Sequence, residues 1–252
     1  MAKVFSIVNA KGGVAKTTST LNIGYALSKL GKKVLLIDLD AQANLTLSVG
    51  LPSDAPLNIS DALTDKCKLP EIIHAVNGIE IINSGRTLIE KEHVISNSVT
   101  GAVKLKSLLK KVKANYDYIL MDCPPSLGIY TVSALVACDA VYVPMAAEPF
   151  AWDGLSRLLE TIAILKEEEI NPQIELGGLF FTSNSNNAQT ILGKTIINEA
   201  REQLGDKVLH TAIRINVALR ESVAVKQSIY DYAPDSNGAR DYMALTREII
   251  NN

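Results

Sequence analysis

Six short runs of nearly unbroken apolar, often β-branched residues recur along the chain, at Val4–Val8, Val34–Asp38, Ile79–Asn83, Tyr118–Asp122, Ala140–Pro144 and Ile174–Thr182. Amphipathic stretches of helical length lie among them, near Thr17–Leu30, Ala102–Lys113, Tyr130–Ala137, Gly154–Lys166 and Thr190–Leu204, with a last one near Gly238–Ile250. A strand that is apolar throughout is buried on both faces, and strands alternating with helices are joined as parallel neighbours by helical crossovers. The pattern therefore predicts an α/β fold, a mostly parallel twisted sheet covered by helices on both faces. The length, 252 residues, is within reach of one such sheet, so residues 1–252 are expected to form a single domain. Gly31 stands where the first helix needs a C-cap. The stretch Leu51–Leu69, with Pro52 and Pro56 inside it and Pro70 just after, predicts a loop or short helices outside the sheet. Val208–Ala233 settles into no one period.

Composition removes several function classes. Twenty-five Lys and Arg against 27 Asp and Glu give a net charge of −2, so any attraction to nucleic acid has to come from a local patch. Cys67, Cys123 and Cys138 show no CxxC spacing, which argues against a disulfide framework, a zinc site or an iron–sulfur site within one chain and for buried, inert thiols. No apolar run approaches the length of a membrane span and no secretory signal opens the chain, so a cytoplasmic protein with no membrane partner is expected.

The chemistry is concentrated in the segment Lys11-Gly12-Gly13-Val14-Ala15-Lys16-Thr17-Thr18, between the first strand and the first helix. Adjacent glycines let backbone N–H groups turn toward a phosphate, and a helix N-terminus adds the positive end of its dipole. Lys16 is placed to reach β- and γ-phosphates, Thr17 to ligate Mg²⁺, and Thr18 to cap the helix or touch the α-phosphate. The common phosphate-loop pattern G-x-x-x-x-G-K-[ST] asks for glycine at positions 10 and 15, where this chain has Ala10 and Ala15. A methyl at position 15 is harmless if φ there is negative and costly if it is positive. A negative φ is the expectation.

Two strands end in carboxylates, one running into Asp38-Leu39-Asp40-Ala41-Gln42-Ala43-Asn44 and the other into Asp122-Cys123-Pro124-Pro125. In a parallel sheet both emerge at the C-terminal edge, beside the phosphate loop. Phosphoryl transfer needs a metal ion and an oriented water more than covalent chemistry, and carboxylates can serve both needs.

Together these segments resemble the ParA/MinD group of P-loop ATPases with a deviant Walker A motif, K-G-G-x-G-K-[ST]-[ST], from which only Ala15 departs. The resemblance implies ATP and Mg²⁺ as ligands, with Lys16, Asp40 and Lys11 as the catalytic set. In that reading Asp40 positions the attacking water, Asp122 holds Mg²⁺ through a water with Thr17 and Asp40 close by, and Asp38 supports them. Lys11 would cross to the nucleotide of a second copy in an ATP sandwich dimer. Weaker likeness continues through Val143-Pro144-Met145, Glu148, Gly154-Leu155, Thr182 and Tyr232–Ala239. It implies Asn184 and Pro234 as adenine contacts, although both residue types also form turns.

The resemblance further implies a ParA/Soj-type protein whose closed dimer binds DNA without sequence preference, associates with the nucleoid, and moves plasmid or chromosome cargo with a ParB-like adaptor stimulating hydrolysis. Candidate DNA contacts are Lys194, Arg201, Lys207, Arg214, Arg220 and Lys226, though interspersed acids also suit a plain solvated surface. The family's Ile-Pro-Arg-Asn run reads Ile213-Arg214-Ile215-Asn216 here. Lys104, Lys106, Lys110, Lys111 and Lys113 read as the wet face of a helix, with Val103, Leu105, Leu108, Leu109 and Val112 inward. No helix-turn-helix precedes the phosphate loop, so operator binding is not expected. The alternatives are a MinD-like or other positioning ATPase for a protein assembly, or a P-loop small-molecule ligase. A MinD-like membrane switch would need a basic amphipathic C-terminal helix, whereas Tyr242–Asn252 carries one basic residue and reads as a helix packed on the body.

Overall fold

The computed structural model describes residues 1–148, 151–182 and 190–251, with the backbone alone at residue 151. Seven strands form one sheet: β1 (Lys3–Ile7), β2 (Val34–Asp38), β3 (Ile73–Val76), β4 (Ile79–Ile82), β5 (Tyr118–Asp122), β6 (Ala140–Met145) and β7 (Glu175–Phe181). The spatial order is β3-β4-β2-β5-β1-β6-β7, parallel throughout except for the antiparallel edge pair β3–β4. All six expected strands are present, with Ile174 and Thr182 outside β7. The seventh, β3, was not expected.

Side chains alternate across the sheet because successive Cβ atoms point to opposite faces. Val4, Leu35, Ile37, Ile119 and Met121 enter one buried cluster, and Phe5, Ile7, Val34, Leu36, Tyr118 and Leu120 enter the other. The first cluster is closed by α5 (Gly101–Leu109), α6 (Ile129–Ala137), α7 (Ala151–Glu167) and α8 (Ile191–Leu204), the second by α1 (Lys16–Lys29) and α11 (Asn237–Asn251). Tyr242, Leu245 and Ile249 of α11 are buried, and the Tyr242 hydroxyl pairs with Ser19 Oγ of α1 at 3.0 Å. The C-terminal helix is thus packed on the body, as the single basic residue of Tyr242–Asn252 suggests.

Shorter helices fill the connections: α2 (Asn44–Ser48), α3 (Ile59–Leu63), α4 (Thr87–Ser96), α9 (Val217–Ala224) and α10 (Ile229–Tyr232). α3 bears out short helices in the proline-bearing stretch, capped by the Asn58 side chain on the Ser60 N–H. α5 stops at Leu109, and the expected helix beyond it becomes a 3₁₀ turn at Lys113–Asn115. Leu105, Leu108, Leu109 and Val112 face inward as expected, but Val103 is exposed. Lys104 and Lys113 pair with Asp65 and Asp139. Cys123 and Cys138 are buried and Cys67 is partly so, all three as free thiols. Burial pushes the Cys138 thiol up to about 12. Among the described residues no helix is long and apolar enough to cross a membrane.

Candidate nucleotide site

Parallel register brings the chemistry together. Ile7, Asp38 and Asp122 end three adjacent strands, with Asp122 the register partner of both Ile7 and Asp38. Just beyond Ile7 the chain turns into the glycine loop, anchored by Asn9, whose Nδ2 donates to the Pro144 carbonyl and whose Oδ1 accepts from the Lys11 N–H. Gly13 and Ala15 adopt φ of 76° and 66° and flank the buried Val14. Lys16 then begins α1, its Nζ donating to the Lys11 carbonyl at 2.9 Å. The next residue, Thr17, donates from Oγ1 to Asp122 Oδ2 at 2.6 Å. These groups open onto a cleft of about 720 Å³ lined by Gly12, Gly13, Ala15, Lys16, Thr17, Thr18 and Asp40, with Pro125, Leu219 and Arg220 on its far wall.

Burial sets the electrostatics. Asp38 and Asp122 are fully buried and Lys16 nearly so. Removal from water pushes Asp122 well above the ordinary carboxylate range, and the neighbouring Asp38 pushes it further. Asp38 is raised to about 6, again mainly by burial, against the opposing effect of hydrogen bonds from Thr46 and the Asp40 N–H. For Lys16, burial lowers the pKa while Asp122 opposes the shift. Two buried carboxylates thus face one buried ammonium, and the nearby donors are hard oxygens of Thr17, Asp40 and Asp122. That donor set and that deficit of positive charge suit Mg²⁺. Among the described residues no three His, Cys, Asp or Glu side chains form a protein-only metal cage, so an ion here would draw its remaining ligands from water and phosphate.

Lys11 extends to Glu148, its Nζ 2.6 Å from Oε2 in a pair that is roughly a third exposed to solvent. Asp40 lines the cleft, its Oδ1 accepting the Gln42 N–H at 2.9 Å. Ala15 is the correction: its φ of 66° lies in the left-handed region, not at the negative value expected. The reason is local. Ala15 is the N-cap, its carbonyl already accepting the Ser19 N–H at 2.8 Å while its own backbone completes the turn out of the glycine loop.

The remaining expected residues divide. Asn184 lies outside the described residues. Pro234 is exposed in the turn before α11 and lines neither the cleft nor the adjoining 80 Å³ hollow between Ala15, Thr18, Thr182, Asn216 and Tyr242. Lys194 and Arg201 are exposed on α8, Lys207 on the 3₁₀ turn after it, and Lys226 after α9. Arg214 is held by Asp241, with Nη2 2.6 Å from Oδ1 and Nε 3.0 Å from Oδ2, and Arg220 stands in the cleft wall. Sequence reasoning missed Thr46 and Ser84, which support Asp40 from behind. No motif spacing links residues 40, 46 and 84.

A family model described as an AAA domain matches residues 2–176. The sporulation initiation inhibitor protein Soj of Bacillus subtilis is 38% identical, covering 100% of both chains. The chromosome-partitioning ATPase Soj of Treponema pallidum is 36% identical over 99% of this chain and 98% of its own. Among solved structures, cobyrinic acid a,c-diamide synthase from Mycobacterium smegmatis with bound ADP and magnesium superposes with a TM-score of 0.86 at 28% identity, covering 100% of this chain and 95% of that one. A matched family model over most of the chain and relatives of this similarity along its whole length decide the assignment: the chain belongs to the AAA-domain family and to the ParA/MinD superfamily of partition ATPases.

Proposed function

We propose that the chain is a Mg²⁺-dependent ATPase that closes into a homodimer on ATP, binds DNA without sequence preference in that state, and positions or segregates DNA cargo while a ParB-like adaptor stimulates hydrolysis. The observation that carries the reading is the convergence of Lys16, Thr17 and Asp40 on one cleft at the C-terminal edge of the sheet, with Asp122 buried directly behind Thr17 and hydrogen-bonded to it. The backbone N–H groups of Gly12–Lys16 cradle phosphate oxygens, and Lys16 supplies a fixed positive charge toward the β- and γ-phosphates. Thr17 and Asp122 would hold Mg²⁺ on the metal side of the site. When bound, Mg²⁺ neutralises charge on the phosphate oxygens. Asp40, at the cleft and not buried, orients the attacking water. Lys11 swings from Glu148 to the nucleotide of the second copy, as the family resemblance implies. The higher identity of the Soj proteins, 38% and 36% against 28% for the diamide synthase, favours partition over the small-molecule ligase reading.

Three variants test this. Lys16→Ala is expected to lose ATP binding, dimerisation and turnover together. Asp40→Ala is expected to keep ATP-dependent dimers and lose turnover by a factor of about 100 or more, the scale of a lost general-base or water-orienting group. Lys11→Ala is expected to bind ATP as a monomer. Native turnover in Asp40→Ala, measured by phosphate release, would remove Asp40 from its role, and intact dimers in Lys11→Ala would remove the cross-subunit contact.

A further inference from the structure

Behind Asp40 lies a closed ring of hydrogen bonds that none of the phosphate-binding groups requires. Ser84, just past the end of β4, donates from Oγ to the Asp40 carbonyl at 2.6 Å. Its backbone N–H donates to Thr46 Oγ1 at 2.9 Å. Thr46 Oγ1 in turn donates to Asp38 Oδ2 at 2.7 Å, and Asp38 Oδ1 accepts the Asp40 N–H at 3.1 Å. Ser84, Thr46 and Asp38 are all fully buried. Both backbone polar groups of Asp40 are thereby tied to the floor of the sheet, while its carboxylate stays at the cleft. A buried ring in which the Thr46 hydroxyl both donates and accepts and the Ser84 hydroxyl donates holds its members in one arrangement, and the orientation of a group above it follows.

We propose that Ser84 and Thr46 are positioning residues for ATP hydrolysis, fixing the Asp40 backbone so that its carboxylate meets the attacking water. The inference rests on the reading of Asp40 as the water-orienting group. Neither residue lines the cleft, so their effect belongs to turnover and not to binding. Loss of the Ser84 hydroxyl leaves the Asp40 carbonyl with the Ala43 N–H at 2.9 Å, so the fold survives the change.

The test compares Ser84→Ala, Thr46→Val and Thr46→Ser with the native chain, measuring kcat and KM for ATP, nucleotide affinity and thermal midpoint. Ser84→Ala and Thr46→Val are expected to lower kcat about 10- to 100-fold, the scale at which a slight misplacement of a reacting group acts, with KM and nucleotide affinity unchanged. Thr46→Ser keeps the hydroxyl and is expected to restore native kcat. Unchanged kcat in Ser84→Ala overturns the proposal, as does a Thr46→Ser variant as slow as Thr46→Val or a loss confined to KM. Should Thr46→Val not fold, Ser84→Ala alone decides. Asp40→Ala run alongside separates the two failures: native turnover there removes the reading of Asp40, whereas an inactive Asp40→Ala with a native Ser84→Ala removes only the positioning role.

Discussion

Ala15 carries the phosphate loop through a left-handed turn that glycine would adopt without strain. For a residue with a Cβ that conformation costs about 1–2 kcal/mol, partly offset because glycine has more backbone freedom to lose on folding. Ala15→Gly is therefore expected to raise stability by about 0.5–1 kcal/mol in chemical denaturation, while a loss of stability would mean that the methyl is held by contacts worth more than the strain. The identity of Lys16, Thr17, Asp40 and Asp122 as a cluster was legible because each stands next to a strand end or a glycine loop. The φ at position 15 was not, since it is set by how the turn closes onto α1. Ser84 was invisible for a similar reason: it meets Asp40 only because β4 pairs with β2 in a register that places residues 82 and 37 side by side.

At the scale of elements, the strands that sequence made plain are those buried on both faces. β3, by contrast, is a half-buried edge strand reading Ile73-His74-Ala75-Val76, too short and mixed to stand out from the proline-bearing stretch before it. α9 and α10 were hidden in Val208–Ala233 because each is short and capped locally, α9 by Asn216 on the Ala218 N–H and α10 by Ser228 on the Tyr230 N–H. Glu248 fastens α11 to the strand-like connection before α9. Its carboxylate accepts the N–H groups of His210 and Thr211 at 2.6 and 2.9 Å. Burial alone raises its pKa, but the Thr211 and His210 hydrogen bonds outweigh it and leave the group below its ordinary value. A carboxylate lowered in the folded state adds stability above its unfolded pKa, and that stability is lost as pH falls through the folded one. Glu248→Gln is thus expected to melt below the native chain at pH 7 by less than about 1 kcal/mol, because the group stays in partial contact with solvent. The two melting curves should converge once the pH falls through the lowered folded-state pKa of Glu248; a gap that persists below it would show that packing, not charge, is at stake.

For the whole molecule, the strand order puts β1, with its loop, between the acidic strand β5 and the strand β6 that leads to Glu148. The groups assigned to the phosphates and the metal, Lys16, Thr17, Asp40 and Asp122, lie at one edge, and Lys11 is occupied by a partner on its own chain. In the proposed dimer, closure of two copies would have to displace Glu148. Glu148→Gln is expected to lower the ATP concentration that half-saturates dimerisation a few-fold, since a partly exposed pair contributes no more than about 1 kcal/mol. Light scattering against ATP concentration measures this, and an unchanged or raised midpoint would contradict the displacement. In the proposed function, DNA binding would draw on exposed cations such as Lys194 and Arg201, with Arg214 already committed to Asp241. With a net charge of −2, one copy has little general attraction for DNA, so the proposed binding would depend on two copies presenting their patches together.

The most direct measurement is the affinity of the purified protein for duplex DNA of arbitrary sequence with ADP, with ATP and with a non-hydrolysable ATP analogue, each at two salt concentrations. The account predicts binding with ATP and the analogue, little with ADP, and an affinity that falls steeply with salt as phosphate contacts are screened. Equal binding in all three nucleotide states, or none in any, would contradict an ATP-gated partition switch.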